Sequence, residues 1–259
     1  MHRLTRTVRF ACGPGAAPAR GGNGFGGRPA LDAPAIFLEL EVRCVGDPDP
    51  ATGYLINIKE IDAAVLANAA PLADAWCRGA GGAHAAPFVR DLLREVASGV
   101  PVGVESVALR LSPFLVMEAH MADASVLIRQ RFEFSASHRL HVPTLGEEEN
   151  RRLFGKCNNP AGHGHNYRVE PCVAIDPDRP LAAARLEEIV GEYVIEPFDH
   201  KHLNEQTDDF SFDHGVNPSV ENIARVCYER LRGPIEAAGG HLRSVEVWET
   251  DRTSATYPA

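Results

Sequence analysis

The segment from Phe154 to Tyr167, FGKCNNPAGHGHNY, combines residue types that are typical of metal sites and of acid–base catalysis. It contains Cys157, His163 and His165 among glycines and asparagines. If HGHNYRV forms an extended strand, its side chains alternate between faces, so both histidines lie on the same side. His138 ends the alternating stretch RFEFSASH. If the two strands pair as an antiparallel hairpin, three imidazoles meet on one face of a sheet.

Three histidines with a fourth position left open are typical of a catalytic zinc site, whereas structural zinc sites are usually closed and rich in cysteine. The open position takes a water or substrate oxygen, which zinc polarises and acidifies. For Cys157 three interpretations are open: a fourth zinc ligand, a buried structural thiol, or a partly exposed thiol. Its place in a turn beside Lys156 and near a cation site favours the third. A lowered pKa is then expected, which suits a base or a nucleophile.

The composition of the whole chain excludes several classes of protein. The 259 residues are 44% hydrophobic and 24% charged, as in ordinary globular proteins. A net charge of -9 argues against a nucleic-acid binder. No apolar run approaches the roughly 18 residues of a membrane span, and the first residues lack the apolar stretch of a signal peptide. Six irregularly spaced cysteines predict reduced thiols and a cytoplasmic location.

The elements that must position these side chains follow one order, strand-strand-helix-helix-strand, in both halves of the chain. The first half reads LTRTVRFAC, AIFLELEVRCV, NIKEIDAAVLANAA, APFVRDLLREVASGV and ESVALRLSPF, with a glycine-rich loop from Gly13 to Gly27. The second half reads LIRQRFEFSASHRL, HGHNYRVEPCVAI, PLAAARLEEIVGEYVI, NPSVENIARVCYERLRG and RSVEVWETD. Eight of the eleven histidines follow residue 125, so the chemistry is expected in the second half.

The sequence also predicts the joint between the halves and the two ends of the last helix. The segment from Met117 to Ala124 is the expected joint. Asn217 or Ser219 is expected to cap the N-terminus of the last helix, and Gly233-Pro234 to end it.

Five motifs, FSASHRL, EEENRRLFGKCNNPAGHGHNY, FDHKHLN, NPSVEN and VEVWETD, resemble the 6-pyruvoyltetrahydropterin synthase family in sequence and in order. The resemblance spans residues 130 to 253. It implies the T-fold, an α+β fold with an antiparallel four-stranded sheet and two helices on one face, which oligomerises into barrels. It also implies Zn²⁺ as the metal. The implied reaction removes triphosphate from 7,8-dihydroneopterin triphosphate, with internal redox rearrangement of the pterin side chain.

The resemblance also assigns roles to residues of this sequence. The implied zinc ligands are His138, His163 and His165; the implied catalytic residues are Cys157, Asp199 and His200; and the implied substrate-binding residues are Glu249, Ser219 and Glu221.

The residue types support the role of Glu249 and restrict how Asp199 and His200 can act. Glu249 alternates with Val245 and Val247, so it ends an apolar strip of one strand face. A carboxylate there can accept two N–H groups from the pyrimidine edge of a pterin. Adjacent Asp and His side chains do not easily bond each other along one extended strand. Asp199 and His200 are therefore expected to act through a turn or across a subunit boundary.

The first half retains DPDPATGYLINIKEID, which resembles the family's turn after its second strand, so it is interpreted as a degenerate copy. Ala35 and Phe37 stand where the second half has its HGH histidines, and Leu111 falls near the position of Glu249. Residues 11–14 offer no histidine either. We therefore expect two tandem T-fold domains, 1–120 without a metal site and 125–259 with the catalytic site. A trimer of tandem chains would replace the family's hexamer.

Three functions remain open at this point. The first is the pyruvoyl-forming lyase. The second is 6-carboxytetrahydropterin synthase of the same superfamily, which takes the same substrate toward deazaguanine nucleosides such as queuosine. Five residues separate Cys157 from His163, as in the pyruvoyl enzyme, whereas the second type has three. The third is a non-enzymatic pterin-binding protein, which the retained ligands, cysteine and Asp-His pair disfavour.

Overall fold

The structure is a computed structural model that describes residues 1–16, 29, 31, 33–80 and 84–259. Most of the glycine-rich loop noted above, Gly13 to Gly27, lies outside the described residues. The chain divides into two compact units, Met1–Ile128 with Ile175–Pro180, and Arg129–Ala174 with Leu181–Ala259. Both units contain helices and strands, which gives an α+β fold. In the described ranges, no helix combines the length and apolar character needed to cross a bilayer.

The first unit is built on four antiparallel strands that neighbour one another in chain order. They are β1 (His2–Cys12), β2 (Ile36–Gly46), β3 (Gly103–Ser112) and β4 (Leu115–His120). Between β2 and β3 the chain forms α1 (Ile58–Ala64), α2 (Ala70–Ala75) and α3 (Ala85–Gly99), with π-helical turns at Val65–Ala69 and Trp76–Ala80. Alternate residues of β2 are buried, because one face of this sheet packs against apolar helix residues such as Leu92 and Val96 of α3.

Strand β4 corrects the predicted joint between the halves. Met117 and Ala119 belong to this strand and pair with Leu109 and Val107 of β3. Both are buried, so the beginning of the segment assigned to the joint is part of the first sheet. The run LVMEAH was interpreted as part of the joint because its mixed composition does not indicate a strand. It forms one because it follows β3 after a short turn and pairs with the edge of that strand.

The second unit carries the quoted motif and contains both antiparallel and parallel pairs. Strand β5 (Val126–Gln130) contains the division between the units, and the following strands are β6 (Phe132–His138), β7 (His163–Ile175), β8 (Lys201–His202), β9 (Gly240–Thr250) and β10 (Thr253–Tyr257). Strand β6 pairs antiparallel with β7, and β9 pairs with β7 and β10. The short β8 runs parallel to β6, so the expectation of a purely antiparallel sheet is wrong for this segment.

The helices of the second unit are α4 (Glu147–Phe154), α5 (Ala183–Val190), α6 (Glu196–Phe198), α7 (Leu203–Gln206) and α8 (Val220–Ala237). A 3₁₀ turn follows α4 at Gly155–Asn158, and a π-helical turn follows α5 at Gly191–Ile195. Helix α4 lies in the connection between β6 and β7. Three glutamates in its first turn and two arginines in its last turn favour a helix through the helix dipole.

Helix α8 begins as expected and ends later than expected. Ser219 caps its N-terminus, but the helix continues through Pro234 to Ala237. Proline removes one backbone donor, yet its fixed φ is compatible with a helix. Ile223 and Leu231 of α8 are fully buried, and packing of this apolar face against β9 offsets the lost hydrogen bond. The prediction that Gly233-Pro234 ends the helix is therefore wrong.

Candidate metal centre and active site

The three candidate ligands come from one hairpin. Strands β6 and β7 pair with His138 opposite His163 and with Ala136 opposite His165. Directly opposed residues of an antiparallel pair share a face and stand about 5 Å apart at Cβ. Gly164 lies between the two histidines of β7 and faces the other side. The predicted hairpin, with three imidazoles on one face, is confirmed.

The imidazoles lie close enough to hold one ion. The Nε2 atoms of His138 and His163 are 3.1 Å apart. Ring centroids of the three histidines are separated by 4.5, 5.2 and 4.9 Å, and one ligand atom from each lies within 4.8 Å of the others. A tetrahedral zinc ion with Zn–N bonds of about 2.05 Å places its ligands about 3.3 Å apart. The 3.1 Å between His138 and His163 is close to this spacing, and the third imidazole lies near enough to share the same ion.

The protonation states also favour a cation. The Nδ1–H of His138 donates to the carbonyl oxygen of Pro218 at 2.7 Å, which leaves the Nε2 lone pair directed at the cluster. Burial is the main cause that lowers the pKa of His138 to about 4, and burial also lowers the pKa of His163. Both rings are neutral at pH 7, as metal ligands must be. The buried Nε2 of His165 has no hydrogen-bond partner among the described residues.

Glu249 completes the cluster from strand β9. Its Oε1 lies 3.4 Å from Nε2 of His138 and 3.6 Å from Nε2 of His165. Val245 and Val247 precede it on the same face and are fully buried, as the alternation predicted. The Glu249 side chain keeps 21% of its surface exposed. Its carboxylate therefore faces both the three histidines and a space that solvent or a ligand can enter.

Cys157 lies in the 3₁₀ turn after α4, and two hydrogen bonds join this turn to Leu140. The backbone N–H of Leu140 donates to the carbonyl of Cys157 at 2.9 Å, and the Asn158 side chain donates to the carbonyl of Leu140 at 2.8 Å. These bonds tie the thiol to the chain that leaves β6, two residues after His138.

The pKa of Cys157 differs from the expectation. Burial raises the pKa of this thiol, and the negative charge of Glu249 raises it further. Lys156 is exposed to solvent and does not compensate. The expectation of a lowered pKa is therefore wrong for the protein groups alone. A cation held by the three histidines would act in the opposite direction, because a positive charge stabilises the thiolate.

Comparison with known proteins finds similarity in the part of the chain that contains the three histidines. The family model described as "6-pyruvoyl tetrahydropterin synthase" matches residues 127–259, about half of the chain. The human protein "6-pyruvoyl tetrahydrobiopterin synthase" is 40% identical over 134 residues, which cover 50% of this chain and 89% of that protein. The Drosophila melanogaster protein of the same name is 34% identical over 134 residues, covering 50% and 77% respectively.

This chain belongs to the 6-pyruvoyl tetrahydropterin synthase family. Among solved structures, Caenorhabditis elegans 6-pyruvoyl tetrahydropterin synthase is 31% identical and aligns with a TM-score of 0.47, covering 51% of this chain and 94% of that one.

In this member of the 6-pyruvoyl tetrahydropterin synthase family, Asp199 and His200 bond each other through a turn. Nδ1 of His200 lies 2.7 Å from Oδ2 of Asp199, and the other carboxylate oxygen accepts the backbone N–H of Ser135 at 2.8 Å. These two hydrogen bonds lower the pKa of Asp199, that from Ser135 most. His200 has φ of 55°, a left-handed conformation that lets adjacent side chains meet. Of the two expected arrangements, a turn is the one that joins the pair.

His200 of this pair lines a cavity beside strands β6 and β7. His200 and Lys201 line this cavity of about 490 Å³ together with Ser135, Ser137, Asn166 and His165, the last of which belongs to the histidine cluster. On β6 and β7 these serines and this asparagine alternate with the residues of the cluster, so they occupy the opposite face. Glu249 thus lies beside the histidines and its charge acts on Cys157, while His200 shares a cavity with His165.

Ser219 and Glu221 have a structural explanation at the N-terminus of α8. The Ser219 hydroxyl accepts the backbone N–H of Asn222 at 3.4 Å, and Glu221 is exposed in the first turn of α8. A serine cap and an early acidic residue both stabilise a helix N-terminus. Their role in binding substrate stays a prediction.

Ser219→Ala is expected to lower the free energy of unfolding by about 1 kcal/mol, because one helix donor loses its partner. Ser219→Asp retains an oxygen at the cap and should keep wild-type stability. Urea unfolding of both variants measures this, and KM for the pterin is measured in parallel. A KM raised equally in both variants would indicate contact with substrate, whereas an unchanged KM in Ser219→Asp would restrict Ser219 to capping.

Two groups of the site were missed from the sequence. Tyr167 is fully buried, stacks on Phe134 with ring centroids 5.1 Å apart, and places its hydroxyl 3.4 Å from Nδ1 of His138. The period of two that relates His163 to His165 extends to Tyr167 and was the available signal. The carbonyl of Pro218 has no side-chain signal, since it reaches His138 only through the tertiary fold.

Proposed function

We propose that this chain is a zinc-dependent lyase of the 6-pyruvoyltetrahydropterin synthase type, which eliminates triphosphate from 7,8-dihydroneopterin triphosphate. One observation carries the proposal: three imidazoles converge with their ligand atoms within 4.8 Å of one another, beside a carboxylate, in the part of the chain that matches this family. Human and fly relatives named 6-pyruvoyl tetrahydrobiopterin synthase support it, and the family match at residues 127–259 contains every proposed site residue.

His138, His163 and His165 would hold Zn²⁺, because three neutral imidazoles that leave a fourth position open are the donor set of a catalytic zinc site. When bound, the ion supplies Lewis-acid activation of the side-chain hydroxyls of the substrate and of their neighbouring C–H bonds. The carbonyl of Pro218 would keep His138 in the tautomer that ligates through Nε2.

Glu249 would anchor the pterin ring. Its carboxylate can accept two N–H groups of the pyrimidine edge in a bidentate pair, which is stronger and more directional than a single bond. Because Oε1 lies 3.4 Å from a ligating nitrogen of His138, the anchored ring would sit beside the cluster. The three-carbon side chain of the substrate would then reach the open metal position.

Cys157 would act as the base that removes a proton from the substrate side chain. Its raised pKa in the free protein suppresses the thiolate, so a cation in the cluster would be needed to form the base. His200, oriented by Asp199, would transfer the second proton. Because the His200 side chain is 82% exposed, we propose that this pair serves the site of a neighbouring copy of the chain.

We further propose that the chain contains two tandem T-fold domains, 1–120 and 125–259, of which the first is a degenerate copy. The pairing of Ala11 with Phe37 in β1 and β2 corresponds to that of Ala136 with His165, so a phenylalanine occupies a ligand position. We propose a cytoplasmic trimer in which tandem chains replace pairs of subunits. A stable monomer in a native mass measurement would contradict the trimer.

Product analysis tests the proposed reaction. The purified chain is incubated with Zn²⁺ and 7,8-dihydroneopterin triphosphate, and the products are identified by mass. We expect triphosphate and 6-pyruvoyltetrahydropterin. Acetaldehyde with a 6-carboxy pterin would instead support the 6-carboxytetrahydropterin synthase reaction, and tight pterin binding without turnover would support a non-enzymatic binding protein. A Cys157→Ala preparation, purified in the same way, controls for contaminating activity.

A further inference from the structure

Two cysteine sulfurs of the first unit lie in direct contact. Cys12 ends β1, and Cys77 lies in the π-helical turn Trp76–Ala80. Their Sγ atoms are 2.8 Å apart, and both thiols are free. A covalent S–S bond is about 2.05 Å long, so a shift of about 0.8 Å would complete one. Neither cysteine belongs to the proposed active site, which lies in the second unit.

Independent hydrogen bonds hold the two segments together. The backbone N–H of Gly13 donates to Oδ1 of Asp74 at 2.8 Å, and the Arg78 guanidinium donates to the carbonyl of Gly13 at 3.2 Å. The same guanidinium bonds Oδ2 of Asp74 at 2.7 Å. The residue after Cys12 is thus clamped to the residues on either side of Cys77. The proximity of the sulfurs therefore does not depend on a contact between the thiols alone.

The two thiols differ in access. Cys12 is fully buried, whereas Cys77 is partly exposed. Burial raises the pKa of Cys12 to about 12, with a further contribution from its contact with Cys77. A small reagent would therefore meet Cys77 first, and Cys12 would then react only with the adjacent sulfur.

We propose that Cys12 and Cys77 form a dithiol site that a low-molecular-weight disulfide, of the oxidised glutathione class, converts to an intrachain disulfide. Cys77 as thiolate attacks one sulfur of the reagent, forms a mixed disulfide and releases one small thiol. Cys12 loses its proton, attacks Sγ of Cys77 and releases the second small thiol. The protein thiols lose two electrons and two protons, and the reagent disulfide is reduced to two thiols.

The other four cysteines either are buried or lie in the second unit. Cys44, Cys172 and Cys227 are buried, and Cys157 lies in the second unit. The disulfide would close a loop of the chain from residue 12 to residue 77, which includes the glycine-rich segment. Closing a loop of this length restricts the unfolded chain, so the melting temperature of the oxidised protein is expected to rise by about 5 °C or more.

Thiol mapping of the full-length protein tests this site. Samples are equilibrated at increasing ratios of oxidised to reduced glutathione, quenched with acid, alkylated and analysed by peptide mass. We expect the peptides of Cys12 and Cys77 to become joined with the loss of two hydrogens. Alkylation of both cysteines at every ratio would overturn the proposal, and so would a cross-link between chains or to Cys157.

Single replacements test the order of attack. Cys12→Ser should accumulate a mixed disulfide with glutathione on Cys77, because no second thiol displaces it. Cys77→Ser should form no cross-link, and its Cys12 should be fully alkylated once the quenched protein is unfolded in denaturant. The partly exposed position of Cys77 makes a folded variant expected, which circular dichroism checks. Cys157→Ala should cross-link as the wild type does. An unmodified Cys77 in the Cys12→Ser protein would contradict the proposed entry of the reagent.

Discussion

Replacing Cys157 with alanine is expected to lower kcat for 7,8-dihydroneopterin triphosphate by about 10³-fold or more while the protein keeps its full metal content. The magnitude follows from loss of a general base, which typically contributes 10²–10⁴-fold. The metal should remain because the cluster that can hold one ion consists of His138, His163 and His165, without the thiol. Steady-state kinetics and metal analysis of the same preparation measure both quantities.

The matched control for this change is Cys77→Ser, which removes a partly exposed thiol of the first unit. Its kcat and zinc content should equal those of the wild type. If Cys157→Ala lost zinc together with activity, the thiol would be a fourth ligand, and the proposed base would have to be sought elsewhere in the site.

His163→Ala is expected to weaken zinc binding by about 100-fold or more and to abolish turnover. Loss of a partner that merely orients a ligand already costs 10–100-fold in affinity, so removal of a ligating imidazole should cost at least as much. Competition with a chromophoric chelator measures the affinity. His163→Gln is examined alongside, because a similar side-chain volume separates loss of the ligand from loss of packing.

His214→Ala provides the control for a histidine outside the cluster. Its ring is exposed and lies 3.3 Å from the Ser211 hydroxyl, so zinc affinity and kcat should stay at wild-type values. Wild-type zinc affinity in both His163 variants, with a native circular dichroism spectrum, would exclude the proposed metal centre.

Local sequence patterns predicted the parts of the site that depend on strand periodicity. The spacing of two between His163 and His165 places both rings on one face of any extended strand, whatever surrounds it. The same rule placed Glu249 on the buried face of Val245 and Val247. The pairing partner of β7 was also correctly predicted, because β6 is the preceding strand of matching alternation.

Features that depend on distant groups were not predictable in this way. The end of α8 was misplaced because packing of its apolar face, which includes Leu231, against β9 offsets the local cost of Pro234. Strand β4 was missed because it forms only by pairing with β3. The pKa of Cys157 rises rather than falls because burial and the charge of Glu249 outweigh the exposed neighbour Lys156.

The sequence by itself determined which residues of this protein can bind a metal ion and on which face of a strand each one lies, since side-chain alternation is a property of the local backbone. Only the tertiary structure decided which of them meet. It brought Glu249 to within 3.4 Å of His138, and it joined the side chains of Asp199 and His200 through a turn. Distances and electrostatic energies depend on all groups that surround an atom, and most of those groups are far away along the chain.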